Sequence, residues 1–207
     1  MPEPTKTWNK TVALAITGAS GSQYGLRLAQ CLIRAGIRVY LLVSQAGQVV
    51  LKMETGIELP SRPAEAEAFF TERFGAEPGQ LRVFGRQQWT APVASGTSPP
   101  DAMVVCPCTT GTLATIASGM SQDLIDRAAD VTLKEGRKLI LVVRETPFTA
   151  LHLENMLRLA RAGAVIMPAN PGFYFNPKSL DDLVDFMVAR VLDHLGVPHE
   201  LMRRWGE

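Results

Sequence analysis

Arg144 and Glu145 stand side by side directly after the apolar run Leu-Ile-Leu-Val-Val at positions 139–143. A buried strand that ends in a guanidinium and a carboxylate offers two chemistries at one point. The paired N–H donors of an arginine grip a phosphate, and a carboxylate gives or takes a proton. A surface ion pair worth ~0–1 kcal/mol is the plainer reading of two such neighbours. The second chemical feature is the run Thr-Gly-Ala-Ser-Gly-Ser-Gln-Tyr-Gly at 17–25, which follows the apolar stretch 11–16. A strand that ends in small residues and then opens a helix presents free backbone N–H groups to an anion. The turn therefore predicts a phosphate or nucleotide cradle.

The glycine spacing argues against a dinucleotide. Gly18, Gly21 and Gly25 are arranged Gly-x-x-Gly-x-x-x-Gly, whereas the dinucleotide fingerprint is Gly-x-Gly-x-x-Gly with an acid ~20 residues later. The next predicted strand ends at Ser44-Gln45, with no carboxylate for a ribose. A mononucleotide such as FMN needs no such acid.

The elements that must position these groups alternate. Strand-like runs at 11–17, 38–43, 81–84, 102–106, 139–143 and 164–167 are interleaved with helix-like runs at 24–35, 45–55, 65–74, 110–118, 124–135, 149–161 and 180–195. That order predicts an α/β fold, a single doubly wound Rossmann-like or flavodoxin-like domain with a mainly parallel sheet. The domain is expected over 11–196, with a loose leader at 1–10 and a tail at 197–207. Residues 90–101, rich in Pro, Ser and Gly, read as a functional loop. In such sheets ligands bind at the carboxyl ends of the strands. Those ends gather Gly18-Ala19-Ser20, Ser44, Pro107-Cys108-Thr109-Thr110, Arg144-Glu145 and Pro168-Ala169-Asn170 on one rim.

Composition excludes several classes. The chain has 207 residues, 46% of them hydrophobic, and a net charge of +1, with no nucleic-acid footprint. No apolar run approaches the ~20 residues of a membrane span. An odd set of three cysteines without a Cys-x-x-Cys motif points to a reduced, cytoplasmic protein. Cys106-Pro107-Cys108 reads as a buried strand end, and His152, His194 and His199 lack metal-ligand spacing, so no metal is expected. Tyr174 and Lys178 match a Tyr-x-x-x-Lys dyad, but Pro177 between them forbids the helix that dyad needs.

Several motifs together carry a family resemblance. Thr-Gly-Ala-Ser-Gly-x-x-Tyr-Gly at 17–25, Arg127-Ala128-Ala129-Asp130 with Leu133-Lys134-Glu135, Val143-Arg144-Glu145-Thr146-Pro147, the run from Gly163 to Pro168, and Pro171-Gly172-Phe173-Tyr174 occur in order along the chain. In these the sequence resembles the UbiX-type flavin prenyltransferases, over about residues 11 to 196. Related cysteine-peptide decarboxylases share the fold, but their Pro-x-Met-Asn-x-x-Met-Trp and Pro-Ala-Ser-Ala-Asn-Thr signatures are absent here.

The resemblance implies transfer of a dimethylallyl group from dimethylallyl phosphate to N5 and then C6 of reduced FMN. The product would serve UbiD-type decarboxylases, including that of ubiquinone biosynthesis. It implies Gly18, Ala19, Ser20, Ser44, Thr109, Thr110, Gly111, Thr112 and Arg144 as FMN-binding residues. Tyr174, Arg190 and Lys134 would hold the prenyl phosphate, and Ser20, Glu54, Lys134 and Glu145 would be catalytic. Trp89 or Trp205 would shield the allyl cation through its π face. No metal is used in the family, so side-chain cations supply the charge that stabilises the leaving phosphate. The segment 108–112 departs from the family's Cys-Ser-x-Lys-Thr, although Thr109 keeps a hydroxyl. A homo-oligomer, a dodecamer in the family, is implied, with the site completed across subunits. An FMN-dependent decarboxylase and a non-catalytic flavin-binding assembly subunit are the alternatives.

Overall fold

Apolar runs without polar alternation become strands buried on both faces in the computed structural model, which describes residues 7–203 and residue 206. Among the described residues, β1 (Thr11–Ile16), β2 (Arg38–Val43), β3 (Leu81–Val83), β4 (Ala102–Cys108), β5 (Lys138–Val143) and β6 (Val165–Pro168) form one parallel sheet in the order β3-β2-β1-β4-β5-β6. This is the Rossmann order and not the flavodoxin one. The chain winds outward from β1 through β2 to β3, then returns to β4 and winds the other way. The crevice between the carboxyl ends of β1 and β4 is therefore the topological switch point.

Successive strand residues face opposite sides, and each side has its own core. Val12, Leu14, Ile16, Leu41 and Val104 pack under α1 (Ser22–Arg34), α2 (Gln45–Thr55), α3 (Pro63–Phe74) and α7 (Leu180–Leu195). Ala13, Ala15, Met103, Val105 and Leu141 pack under α4 (Thr110–Ala117), α5 (Leu124–Lys134) and α6 (Ala150–Arg161). Local chemistry sets the helix starts. Ser179 and Asp182 form a reciprocal capping box at α7, as do Thr149 and His152 at α6, which gives His152 a structural task.

Two sequence expectations need correction. The strand expected over 102–106 continues to Cys108. Pro107 lacks an N–H, so the β4–β5 ladder shifts register between Val105 and Cys108. Its carbonyl instead accepts the Thr17 N–H at 3.2 Å and the Thr17 hydroxyl at 2.7 Å. Burial pushes the Cys106 and Cys108 thiols well above the ordinary range, so neither is a ready nucleophile. The loop expected over 90–101 to be functional is a packed crossover from the edge strand β3 to the interior strand β4. Val93 is fully buried in the second core, the Ala94 carbonyl accepts from Arg127 Nε, and Asp101 accepts the Thr11 N–H. Of the expected leader, residues 1–6 lie outside the described residues. Lys10 is tied down, its carbonyl to the Arg38 N–H and its ammonium to the Leu195 carbonyl. No helix among the described residues is long and apolar enough to cross a membrane.

Candidate functional site

Thr17 closes the switch point. Its hydroxyl donates to Pro107 and accepts the Thr109 N–H at 2.9 Å, so the ends of β1 and β4 are clipped together. The turn that follows needs glycine for local reasons. Gly21 has φ 109°, a conformation that side chains rarely adopt. Gly25 lets α1 lie directly on the sheet, since a Cβ there would stand 2.4 Å from the Cys106 carbonyl oxygen. Beside this turn lies a cavity of about 390 Å³ lined by Gly18, Ser44, Gln45, Ala46, Val49, Arg86, Thr109, Thr112 and Asp123. A larger groove of about 570 Å³ between α1, α3 and α7 lies away from the strand ends, and its Arg27 is already paired with Asp185 at 2.6 Å.

The anion position at the start of α1 is filled from within the chain. The Glu54 carboxylate, on the last turn of α2, accepts the Gly21 N–H at 3.1 Å and the Ser22 N–H at 2.8 Å, and the Ser20 hydroxyl also hydrogen-bonds to it. Burial by itself raises this carboxyl, but the hydrogen bonds from Ser20, Ser22 and Gly21 outweigh it and hold the group below its ordinary range. Glu54 thus takes the Gly21 and Ser22 N–H groups and is coupled to Ser20, while Gly18 at the start of the same turn lines the 390 Å³ cavity.

Free helix ends occur one strand further on each side. Ser44 caps α2, its Oγ accepting the Gly47 N–H at 2.9 Å, and Thr109 caps α4, its Oγ1 accepting the Thr112 N–H at 3.0 Å. Both caps are neutral, so the positive end of each helix dipole is uncompensated, and both helices open onto the 390 Å³ cavity. A phosphate fits this donor set. The far end of the rim carries the pair read from sequence. The Arg144 backbone N–H donates to the Cys108 carbonyl at 3.2 Å, and the Glu145 carboxylate accepts from the Thr110 hydroxyl at 3.3 Å and the Thr146 N–H at 3.0 Å.

Two side chains on this rim escaped the sequence reading. Tyr24 is half-buried within electrostatic reach of both Arg144 and Glu54; it was visible only as a letter of a motif. Arg86 follows the short strand β3. It lies beside Asp123, which caps α5 by accepting the Ile125 N–H at 2.9 Å. Next to it, burial with the Asp123 charge adding to it pushes the Asp126 carboxyl up from 3.8 to about 6. A raised folded-state pKa gives stability that is present below the unfolded value and lost as pH rises through 6. Asp126→Asn keeps an oxygen for the Gln122 N–H. It is expected to raise the thermal midpoint by ~2–4 °C at pH 8, the shift of about 1 kcal/mol in a domain of this size. The gain should vanish by pH 4, as scanning calorimetry at the two pH values would show.

The remaining expected residues are not brought to the cavity within one chain. Tyr174 and Arg190 meet in a separate cavity of about 240 Å³ with Phe186, Asp193, His199, Met202 and Arg203, where Arg190 is paired with Asp193 at 2.7 Å. Lys134 sits at the end of α5, paired with Glu135 and close to Gly96. α5 turns through Gly136 straight into the start of β5, so this end of α5 lies at the amino ends of the strands, about 20 Å from the rim at ~3.3 Å per strand residue. Trp89 is half-exposed and does not line the cavity. Trp205 lies outside the described residues.

Known proteins share this sequence and fold. A family model described as Flavoprotein matches residues 1–192. The flavin prenyltransferase UbiX of Pseudomonas aeruginosa is 57% identical over 196 residues, covering 95% of this chain and 94% of its own. The solved structure of AnUbiX in complex with FMN and dimethylallyl pyrophosphate superposes with a TM-score of 0.85 at 38% identity, over 96% of this chain and 98% of that one. A dodecameric FMN-dependent UbiX-like decarboxylase from Escherichia coli O157:H7 gives 0.84 at 37% identity, over 95% and 100%. With a family model over residues 1–192 and relatives up to 57% identical over nearly the whole chain, the protein belongs to the Flavoprotein family and, within it, to the UbiX-type flavin prenyltransferases.

Proposed function

We propose that this transferase moves a dimethylallyl group from dimethylallyl phosphate to reduced FMN and releases prenylated FMN for a UbiD-type decarboxylase. The observation that carries the reading is the convergence on one rim of a phosphate-sized donor set with two hydrogen-bonded carboxylates, Glu54 and Glu145. Reduced FMN supplies the nucleophilic atoms, N5 and then C6.

The chain's residues do the rest. Gly18, Ala19 and Ser20 on the β1 turn, Ser44 at α2, Thr109, Thr110, Gly111 and Thr112 at α4, and Arg144 after β5 hold the cofactor across the switch point. The Ser20 hydroxyl, oriented by Glu54, and Glu145, oriented by Thr110 and Thr146, handle protons at the flavin. Tyr174 and Arg190 bind the donor phosphate, with Asp193 fixing the guanidinium. Cationic side chains offset the charge that develops on the departing phosphate.

Lys134 reaches such a site only from another copy of the chain, and Trp89 and Trp205 are the aromatic candidates for shielding the allyl cation. A homo-oligomer, of the dodecameric kind named for the E. coli protein, follows from that requirement. Exposed apolar side chains support it: Met53 on α2 is 79% exposed and Leu151 on α6 is 70% exposed. A cytoplasmic location accords with the odd cysteine count. Anaerobic incubation with reduced FMN and either the monophosphate or the diphosphate of dimethylallyl alcohol, read as the mass of the extracted flavin, tests the reaction and the donor together.

A further inference from the structure

We infer that Arg86 is a further cofactor-binding residue, a guanidinium that engages the FMN phosphate and makes the site prefer phosphorylated flavin to riboflavin; this rests on the FMN reading above. The argument begins with the helices around the switch point. α1 carries the Glu54 carboxylate at its N-terminus and α5 carries Asp123. The two neutral-capped helices, α2 and α4, share one cavity, and Arg86 lines that cavity with them. An anion there meets two positive helix ends and one guanidinium, with the Asp123 carboxylate, which also lines the cavity, set against that guanidinium. The anionic part of FMN is its phosphate, which riboflavin lacks.

Arg86 is also held in place for this task. Its carbonyl accepts the Leu124 N–H at 2.8 Å, its Nη1 donates to Gln45 Oε1 at 3.0 Å, and its Nε lies 3.7 Å from Asp123 Oδ2. These contacts tether it to the first turns of α2 and α5. A guanidinium has five N–H donors in a fixed fork, so several stay available to a phosphate. Asp123 is committed through its other oxygen to the Ile125 and Asp126 N–H groups. Its charge therefore steers Arg86 without covering it, and the Arg86 side chain remains 43% exposed. A residue that only cemented α2 to α5 would be expected to bury that group.

The test is titration of the assembled wild-type protein, Arg86→Gln and Arg86→Lys with FMN and with riboflavin, followed by flavin fluorescence, with thermal midpoints as a check on folding. Loss of a charge-assisted contact is expected to weaken FMN binding by ~10–100-fold in Arg86→Gln. Riboflavin binding should stay within about twofold, and the salt dependence of FMN binding should flatten. Arg86→Lys keeps the charge but not the fork and should fall between. Equal losses for both flavins, or a wild-type preference for FMN that persists in the folded variants, would overturn the role of Arg86. Wild-type protein that binds neither flavin would overturn the FMN reading and this inference with it.

Discussion

Exchange of Glu145 for glutamine is expected to slow formation of prenylated flavin by ~10²–10⁴-fold, the usual worth of a positioned proton-transfer group. FMN affinity should stay within about threefold. The two outcomes separate because of where Glu145 sits. It follows the phosphate-gripping candidate Arg144 directly, yet its own oxygens face the Thr110 hydroxyl and the Thr146 N–H and not the neutral-capped helix ends. Glutamine keeps the shape and one acceptor oxygen, so the loop from Arg144 to Thr146 can hold its course. What is lost is a group able to carry a proton away from the flavin. Anaerobic single-turnover kinetics on the variant, with flavin titration alongside, reads both quantities. Full activity in Glu145→Gln would remove Glu145 from the proton pathway and leave the Ser20 and Glu54 pair as the remaining candidate.

The second large effect is on folding. Gly25→Val is expected to destabilise the protein by about 3 kcal/mol or more, at the upper end of overpacking costs, and to abolish FMN binding. A Cβ at position 25 would lie 2.4 Å from the Cys106 carbonyl oxygen and 2.8 Å from Ile16 Cγ1. The oxygen belongs to the backbone of β4 and cannot rotate away. Relief requires α1 to lift from the sheet, which pulls on Gly21 and Ser22 and on the Glu54 carboxylate they bind. The fold and the cavity thus fail together. A thermal midpoint lowered by ~6–12 °C is the matching observable for a domain of this size. A midpoint within about 2 °C of wild type would show that α1 does not pack as described.

Much of this was legible in the residues. Uninterrupted apolar runs such as Leu139 to Val143 left little choice but buried parallel strands, and the alternation of strands with capped helices set the winding. The boundaries of β2 and α2 also followed from sequence, because Ser44 and Gly56 mark the start and the stop of that helix in the manner expected of a hydroxyl cap and a left-handed glycine. What could not be read was long-range occupancy. Nothing local says that Glu54, more than thirty residues on, fills the N-terminus of α1. Pro107 sits where a strand end is expected, yet its carbonyl takes both Thr17 donors and β4 runs on to Cys108. Lys134 illustrates a different gap. The family resemblance gave its identity, but α5 delivers it to the amino ends of the strands in its own chain. A role at the flavin then demands a second copy of the chain.

Prenyl transfer to flavin is the centre of this account, and mass spectrometry of the flavin measures it most directly. Purified protein incubated without oxygen with reduced FMN and dimethylallyl monophosphate should yield a flavin heavier by one isoprenoid unit, with inorganic phosphate released in equal amount. A flavin of unchanged mass with both the monophosphate and the diphosphate, from protein shown to bind FMN, would contradict it.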